Sequence, residues 1–411
     1  MARQLLWLPG LACLVAASAP RWPQGPSAPR FSWDTVPVFF HSQNGSGPFN
    51  DATIAFAGRF PLATVGGAHD HASNASNEAK ILVEARRIKA ASNDTKVIFY
   101  QNSVINFPQT RLHARTVANP ALLLHDAAGA IVHCLSHAPR HNLTVFDLSR
   151  ADVRAAWVDN ARSVLRSGAG AVDGVFADRV GATLEHTFGV PGCNLSFPPG
   201  LAAAWNAGHL LLVQALQQAV SEETGGSGVA IANHVDADGV RGKMFENFKR
   251  EQGVGYVPAG SQLAALVSAA AVHTVAEVHV DFCEYGSSVY NQTLAAFLLG
   301  AGNYSYYACT RGWSVQQGGG EWYPDYDRAL GAPLGPATSV GGEGLVWYRR
   351  FASGTVAFLN STDAPPSNST NKAECWGTPC IVWADGHETG SPGCGAAFRA
   401  TAVTAPGQLT T

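Results

Sequence analysis

A chain of 411 residues exceeds one small domain and has room for a barrel of about 250 to 300 residues with a smaller appendage. Hydrophobic residues make up 46% and charged residues only 14%, which argues for a large buried core and against extended disorder. A net charge of −3 with no basic stripe argues against nucleic acid as a partner.

The N-terminus reads as an address. Arg3 supplies a positive start, Leu5 to Ala17 a short apolar run, and Ala17-Ser18-Ala19 a cleavage-like site, so residues 1–19 are expected to be a signal peptide and 20–30 a Pro-rich spacer. The apolar run is too short to span a membrane, and no later segment replaces it. Sequons at Asn44, Asn74, Asn93, Asn142, Asn194, Asn291, Asn303, Asn360 and Asn368 fit a secreted, extracellular glycoprotein. Once Cys13 leaves with the signal, Cys134, Cys193, Cys283, Cys309, Cys375, Cys380 and Cys394 remain, so disulfides are expected with one thiol left over and the pairing open.

From 36 to 310, short β-branched and aromatic runs alternate with amphipathic segments, the pattern of parallel βα units. Eight candidate strands start at Val36, Phe60, Lys96, Asp173, Gly228, Lys243, Thr274 and Asn303. This count predicts an α/β fold: a (β/α)8 TIM barrel over 31–325. In the helix from Ala79 to Ala91, Ile81, Leu82, Ala85 and Ile88 form the buried stripe, with Lys80, Glu84 and Arg87 on the other side. Ser149 and Asp152 resemble a capping box opening a helix whose buried face is Val153, Trp157, Ala161 and Val164. Leu201, Trp205, Leu212 and Leu216 mark the next buried face.

Two irregularities interrupt the pattern. The connection from Ser103 to Asp147 is long and contains a hairpin-like ALLLHDAAGAIVHC stretch, a candidate lid or wall. Between the fifth and sixth strands about nine residues intervene, too few for a full helix, so either that unit is degenerate or the strand count fails there. Beyond Thr310, strand-like runs from Leu345 and Thr355, joined at Ser353-Gly354, and another from Cys380 predict a C-terminal antiparallel β domain over 326–411.

Glycosidic cleavage needs a proton donor and a second carboxylate, and barrel strand ends are where such groups sit. Asp178 ends an otherwise apolar strand, where a charge is tolerable only at the barrel mouth; its bland alternatives are a helix cap or an ion pair with Arg179. Glu246 lies among Met244, Phe245 and Phe248, which would desolvate it and raise its pKa into a donor range. It could equally bind a sugar hydroxyl or pair with Lys243, and Asp281 is its rival as the acid. Glu277 lies deeper and reads as a structural partner for a buried His or Arg. Other polar strand ends suited to substrate hydroxyls are His41, Gln43, Tyr100, Gln101, Asn102, Asn233 and His234. Trp313 could stack on a sugar's apolar face. His69, Asp70 and His71 offer adjacent i and i+2 metal ligands, but nothing else fixes a third partner, and no phosphate loop, dinucleotide fingerprint or nucleophile elbow appears. No cofactor or metal is implied.

The run VFDLSRADVRAAWVDNARSVLRSGAGAVDGVFADRV, residues 145–180, resembles the strand-four region of glycosyl-hydrolase-like proteins in the α-galactosidase-like TIM-barrel superfamily. There DG-[IV]-F-x-D closes the strand. The opening VPVFFHSQNGSGPFND, the FYQNSVINFP segment and the tail LGAPLGPATSVGGEGLVWYRRFASGTVAFLN are similar as well. The resemblance implies a glycosidase with Asp178 as nucleophile, an acid after strand six where Glu246 stands, and retention of anomeric configuration. Arg179, within the motif, joins the expected substrate-binding set together with Asp281. A secreted barrel that binds carbohydrate without cleaving it is the alternative, and an Asp178→Asn variant would distinguish the two. Sugar, linkage and oligomeric state stay open.

Overall fold

A computed structural model describes residues 28–133, 143–185, 195–234, 237, 239–248, 250–251, 255–256, 259–340, 346–360 and 378–390. The expected signal, residues 20–27 of the spacer, the sequons at Asn142, Asn194 and Asn368, and Cys134, Cys193, Cys375 and Cys394 lie outside them.

Eight parallel strands follow one another around a barrel: β1 (Phe40–Ser42), β2 (Leu62–Val65), β3 (Lys96–Asn102), β4 (Gly174–Asp178), β5 (Val229–Ala232), β6 (Gly242–Phe245), β7 (Val275–Val280) and β8 (Ser305–Cys309). The seam between β8 and the start of the barrel is closed by a parallel bridge from Val38 to Tyr307, with Tyr307 N donating to Pro37 O at 2.9 Å and Phe39 N to Tyr307 O at 3.3 Å. The strands are Val-, Ile- and Phe-rich because both faces are buried. Inward-facing Phe39, Leu62, Ile98, Phe176, Ile231, Met244 and Tyr306 fill the barrel, while outward-facing side chains pack on the helices. β5 pairs directly with β6 through Ile231↔Gly242, and no helix occurs between them among the described residues. The strand count holds and the fifth unit is the degenerate one.

The surrounding helices are α1 (Asp51–Ala57), α2 (Asn77–Ala91), α3 (Arg111–Ala118), α4 (Ala151–Ser167), α5 (Leu201–Glu223), α6 (Ala259–Ala271) and α7 (Ser288–Gly300). α2 begins where Ser76 Oγ accepts from Ala79 N at 3.3 Å, and its expected stripe is buried. Its other side is not a solvated face: Glu84 and Lys80 are also buried, because the loops after β1 and β2 fold over them. Glu84 accepts from Phe49 N and faces His69, and Lys80 donates to Asp70 O at 2.7 Å. α4 buries Val153, Trp157, Ala161 and Val164 as expected, but the capping box does not form. Ser149 donates its hydroxyl to Asp147 at 2.5 Å, and Asp152 pairs with Arg150 at 2.7 Å. The helix starts one residue later, with Arg150 at the N-cap position and no side-chain cap.

Within the long third connection, Ile105–Asn106 pairs antiparallel with Thr144–Val145, and Leu124 to Val132 forms a hairpin turning at Gly129. After the barrel, β9 (Thr338–Val340), β10 (Val346–Arg350), β11 (Val356–Asn360), β12 (Thr378–Val382) and β13 (Glu388–Gly390) make an antiparallel sheet. The β10–β11 turn lies at Ser353-Gly354, where Gly354 takes φ +96. This sheet packs on α7, and Arg349 anchors it by donating to the carbonyls of Leu298 at 3.1 Å and Ala301 at 2.5 Å. Cys283 and Cys309 form a disulfide joining the C-terminal ends of β7 and β8, and Cys380 is disulfide-bonded as well. No helix among the described residues is long and apolar enough to cross a membrane.

Candidate active site

The C-terminal ends of the strands surround a cavity of about 270 Å³ lined by His41, Gln43, Gly66, Gly67, Ala68, Tyr100, Phe107, Gln109, Phe176, Asp178, Asn233, Glu246 and Trp313. Strand alternation brings these groups together. Phe176 and Asp178 share the inner face of β4, Tyr100 faces them from β3, and Asn233 and Glu246 stand just beyond β5 and β6.

Asp178 is held by four donors. One oxygen accepts from Tyr100 Oη at 2.5 Å and Asn102 Nδ2 at 2.8 Å; the other accepts from Asn233 Nδ2 and Arg179 N, each at 2.8 Å. Burial, followed by the Asp178 charge, keeps the Tyr100 phenol well above its ordinary pKa, so it remains a donor. Gly67 is what lets that ring sit there: a Cβ on Gly67 would meet Tyr100 Cε1 at 2.4 Å.

Asn233 Nδ2 also donates to Glu246 Oε2 at 2.6 Å. Because bonds of 2.8 and 2.6 Å meet at one nitrogen, the two acceptor oxygens of Asp178 and Glu246 are at most 5.4 Å apart. Desolvation, then the negative charges of Asp178 and Asp281, push Glu246 up to about 7, against the opposing pull of the Asn233 bond and Arg179. One carboxyl is therefore surrounded by donors while its neighbour retains a proton near neutrality.

Each of three strand-end acids is followed by a non-glycine residue in the left-handed region: Arg179 (φ 62), Asn247 (φ 52) and Phe282 (φ 52). The turn aims the next amide back at the carboxylate, Arg179 N to Asp178 at 2.8 Å and Phe282 N to Asp281 at 2.9 Å. Backbone strain of this kind concentrates at functional sites.

The remaining expected residues divide. His41, Gln43, Tyr100, Asn233 and Trp313 line the cavity. Burial lowers His41 to about 3, leaving a neutral imidazole set edge-on to Phe176 and Trp313. Asn102 positions Asp178 rather than lining the cavity; its own Oδ1 accepts from Val104 N and Ile105 N. Gln101 does not belong to the site. It points outward between Tyr100 and Asn102, donates to Trp157 O at 3.1 Å and accepts from Asn160, as period-two alternation requires. His234 lies against Gly181, and neither it, Arg179 nor Asp281 lines the cavity; Arg179 and Asp281 act on the acids through a backbone amide and through charge. Gly66 to Ala68, Phe107 and Gln109 went unread in the sequence. Phe107 and Gln109 come from the long third connection, which thus forms a wall.

His69 is structural: Nδ1 accepts from Asn44 N and Nε2 faces Glu84 at 3.2 Å. Among the described residues no cluster of three or more His, Cys, Asp or Glu is arranged for a metal. Glu277 also departs from expectation. It faces the barrel interior with no His or Arg partner among the described residues, near the Thr64 hydroxyl but without an aligned hydrogen bond, and burial pushes it up to about 8. Unfolded, it ionises near the ordinary carboxyl value of about 4.3. Its neutral form thus favours folding fully below that value, and the contribution is lost as pH rises through about 8. Glu277→Gln should therefore gain on the parent by on the order of 2–4 kcal/mol between pH 5 and pH 9, read from urea denaturation at the two pH values. A constant difference would contradict this.

Residues 89–355 match the model of the hypothetical glycosyl hydrolase family 15. The chain belongs to that family. It is accordingly a glycosidase on a (β/α)8 barrel. No curated protein matches this member of family 15. Similar solved structures include the cyclic α-maltosyl-(1→6)-maltose hydrolase of Arthrobacter globiformis in complex with maltose, at 11% identity over 91% of this chain and 97% of that one, TM-score 0.44. Others are the glycoside hydrolase domain of PelA from Pseudomonas aeruginosa (13%, 67% and 94%, 0.40) and an α-galactosidase from Thermus thermophilus in complex with p-nitrophenyl α-D-galactopyranoside (13%, 78% and 66%, 0.44).

Proposed function

We propose that this family 15 chain is a retaining glycosidase in which Asp178 is the nucleophile and Glu246 the general acid and base. The observation that carries the reading is the single Asn233 amide bonded to both carboxyls, which brings one oxygen of each within 5.4 Å of the other. Retaining enzymes place their carboxyls about 5 to 5.5 Å apart, whereas inverting ones need roughly 6.5 to 9.5 Å to admit a water. An Asp178 oxygen attacks the anomeric carbon as the glycosidic C–O bond breaks, and the Glu246 proton passes to the leaving oxygen. Glu246, now ionised, takes a proton from the water that attacks the same carbon and releases Asp178. Phe176, Trp313 and Phe107 offer apolar surface to a sugar face, and His41, Gln43 and Gln109 offer polar groups to its hydroxyls.

Proton NMR of the first product formed tests this directly. The anomer released should match the configuration of the bond cleaved; the opposite anomer would overturn the assignment of Asp178. Glu246 must be protonated at the outset, so kcat/KM should fall as pH rises through about 7. Asp281→Asn removes a charge that holds that proton, so its pH–rate profile should lose activity at a lower pH than the parent's; a shift upward would contradict the role given to Asp281.

The substrate we assign is an extracellular or cell-wall carbohydrate, reached by secretion. Support comes from the signal-like N-terminus, the exposed sequon residues Asn74, Asn93 and Asn303, and the Cys283–Cys309 disulfide, which suits an oxidising compartment.

A further inference from the structure

A second concavity, of about 470 Å³, is lined by Glu284, Tyr285, Arg311, Glu321, Trp322 and Tyr323, from the segments that follow β7 and β8. Its composition differs from ordinary surface. Tyr285 is 45% exposed, and its ring stacks on that of Tyr323 at 5.4 Å and 27°. Arg59 covers Trp322 with its guanidinium 3.9 Å from the ring. Among these rings stands a fixed polar set: Arg311 Nε donates to Glu321 at 3.0 Å, and Tyr323 donates its hydroxyl to the other oxygen of Glu321 at 2.5 Å. Flat amphipathic rings beside a carboxylate and a guanidinium match a pyranose, which has an apolar C–H face and a rim of hydroxyls.

The residues lining the groove are neighbours in the chain of those at the catalytic site. Beyond the end of β8, Arg311 lines the groove and Trp313, two residues on, lines the cavity, so their Cα atoms are at most about 7 Å apart. Just beyond β7, Asp281 acts on Glu246 through its charge, and Glu284 and Tyr285 follow in the groove. Between Asp281 and Glu284, Phe282 is held in the left-handed conformation and is 74% exposed, an apolar ring presented to solvent. The Cys283–Cys309 disulfide ties the two loops together at their roots, which keeps the groove in register with the cavity.

We propose that this groove is a distal subsite that binds a further sugar unit of an oligosaccharide or polysaccharide whose scissile bond lies at Asp178 and Glu246, so that the enzyme favours chains over short glycosides. The inference rests on the hydrolase reading given above. It is tested with Tyr285→Ala and Arg311→Ala in the full chain, using the p-nitrophenyl monoglycoside cleaved fastest and the two- to six-unit oligosaccharides of the same sugar and linkage. The ratio of kcat/KM for the hexasaccharide to that for the monoglycoside should fall about tenfold or more in either variant, chiefly through KM. A ratio equal to the parent's in both variants overturns the subsite and leaves the hydrolase reading intact. Should no glycoside be turned over, the catalytic reading fails, and calorimetric binding of neutral hexasaccharides to the parent and to Tyr285→Ala decides the groove separately. Weaker binding by the variant then supports the subsite; equal binding, or none by either protein, overturns it.

Discussion

Asp178→Asn is expected to lower kcat by at least about 10³-fold, equivalent to about 4 kcal/mol of transition-state stabilisation, while leaving a folded protein. Asparagine has nearly the same shape but offers one acceptor oxygen and an amide that cannot attack carbon. The variant also meets a mismatch. Tyr100, Asn102, Asn233 and the Arg179 amide all donate to Asp178, and an amide nitrogen facing two of them leaves donors unpaired. A stability loss of about 1–3 kcal/mol should accompany the loss of activity. Circular dichroism and thermal unfolding separate the two effects: an unfolded variant says nothing about chemistry, whereas a folded one with parental kcat would remove Asp178 from the mechanism.

Glu246→Gln has a different signature. Without a proton donor, cleavage of a sugar leaving group should slow by about 10²- to 10⁴-fold, whereas a p-nitrophenyl glycoside, whose phenolate leaves without protonation, should lose far less in the bond-breaking step. The fall in kcat/KM above pH 7 should vanish too, because the group responsible has been removed. Equal losses on both substrates, or a surviving alkaline limb, would assign the proton to another group, with Asp281 next in line. The two variants together ask whether the environments around Asp178 and Glu246, one rich in donors and the other desolvated, divide the labour as their hydrogen bonds imply.

Much of this arrangement is legible in the amino-acid sequence, for physical reasons. Strands buried on both faces must be apolar, so β4 stands out as GVFAD, and the polar residue closing it can only be at a mouth. The same rule places β6 with Glu246 beyond its end, and the shortness of the β5–β6 link is visible as residue count. Alternation already separates Gln101 from Tyr100 and Asn102, so the misplacement of Gln101 reflects a signal present and not applied. Other errors have no local signal. Glu84 and Lys80 look like a solvated helix face because nothing in α2 tells that the loops after β1 and β2 will cover them. Gly66 to Ala68 carry no reactive side chain, and their value lies in the space that Gly67 leaves for Tyr100, a contact between separate strands. Asn233 was readable as a polar strand end, but its bond to two carboxyls at once depends on how β4, β5 and β6 converge. The isolation of Glu277 follows likewise from what surrounds it in three dimensions.

Trapping the glycosyl-enzyme most directly tests the claim that Asp178 forms a covalent bond with the substrate. The protein would be incubated with a fluorinated glycosyl fluoride of the sugar it cleaves fastest, then digested and analysed by mass spectrometry. A stoichiometric sugar adduct on Asp178 is the predicted result. An adduct on Glu246 or Asp281 instead, or steady turnover of that reagent with release of the inverted sugar and no adduct, would contradict it.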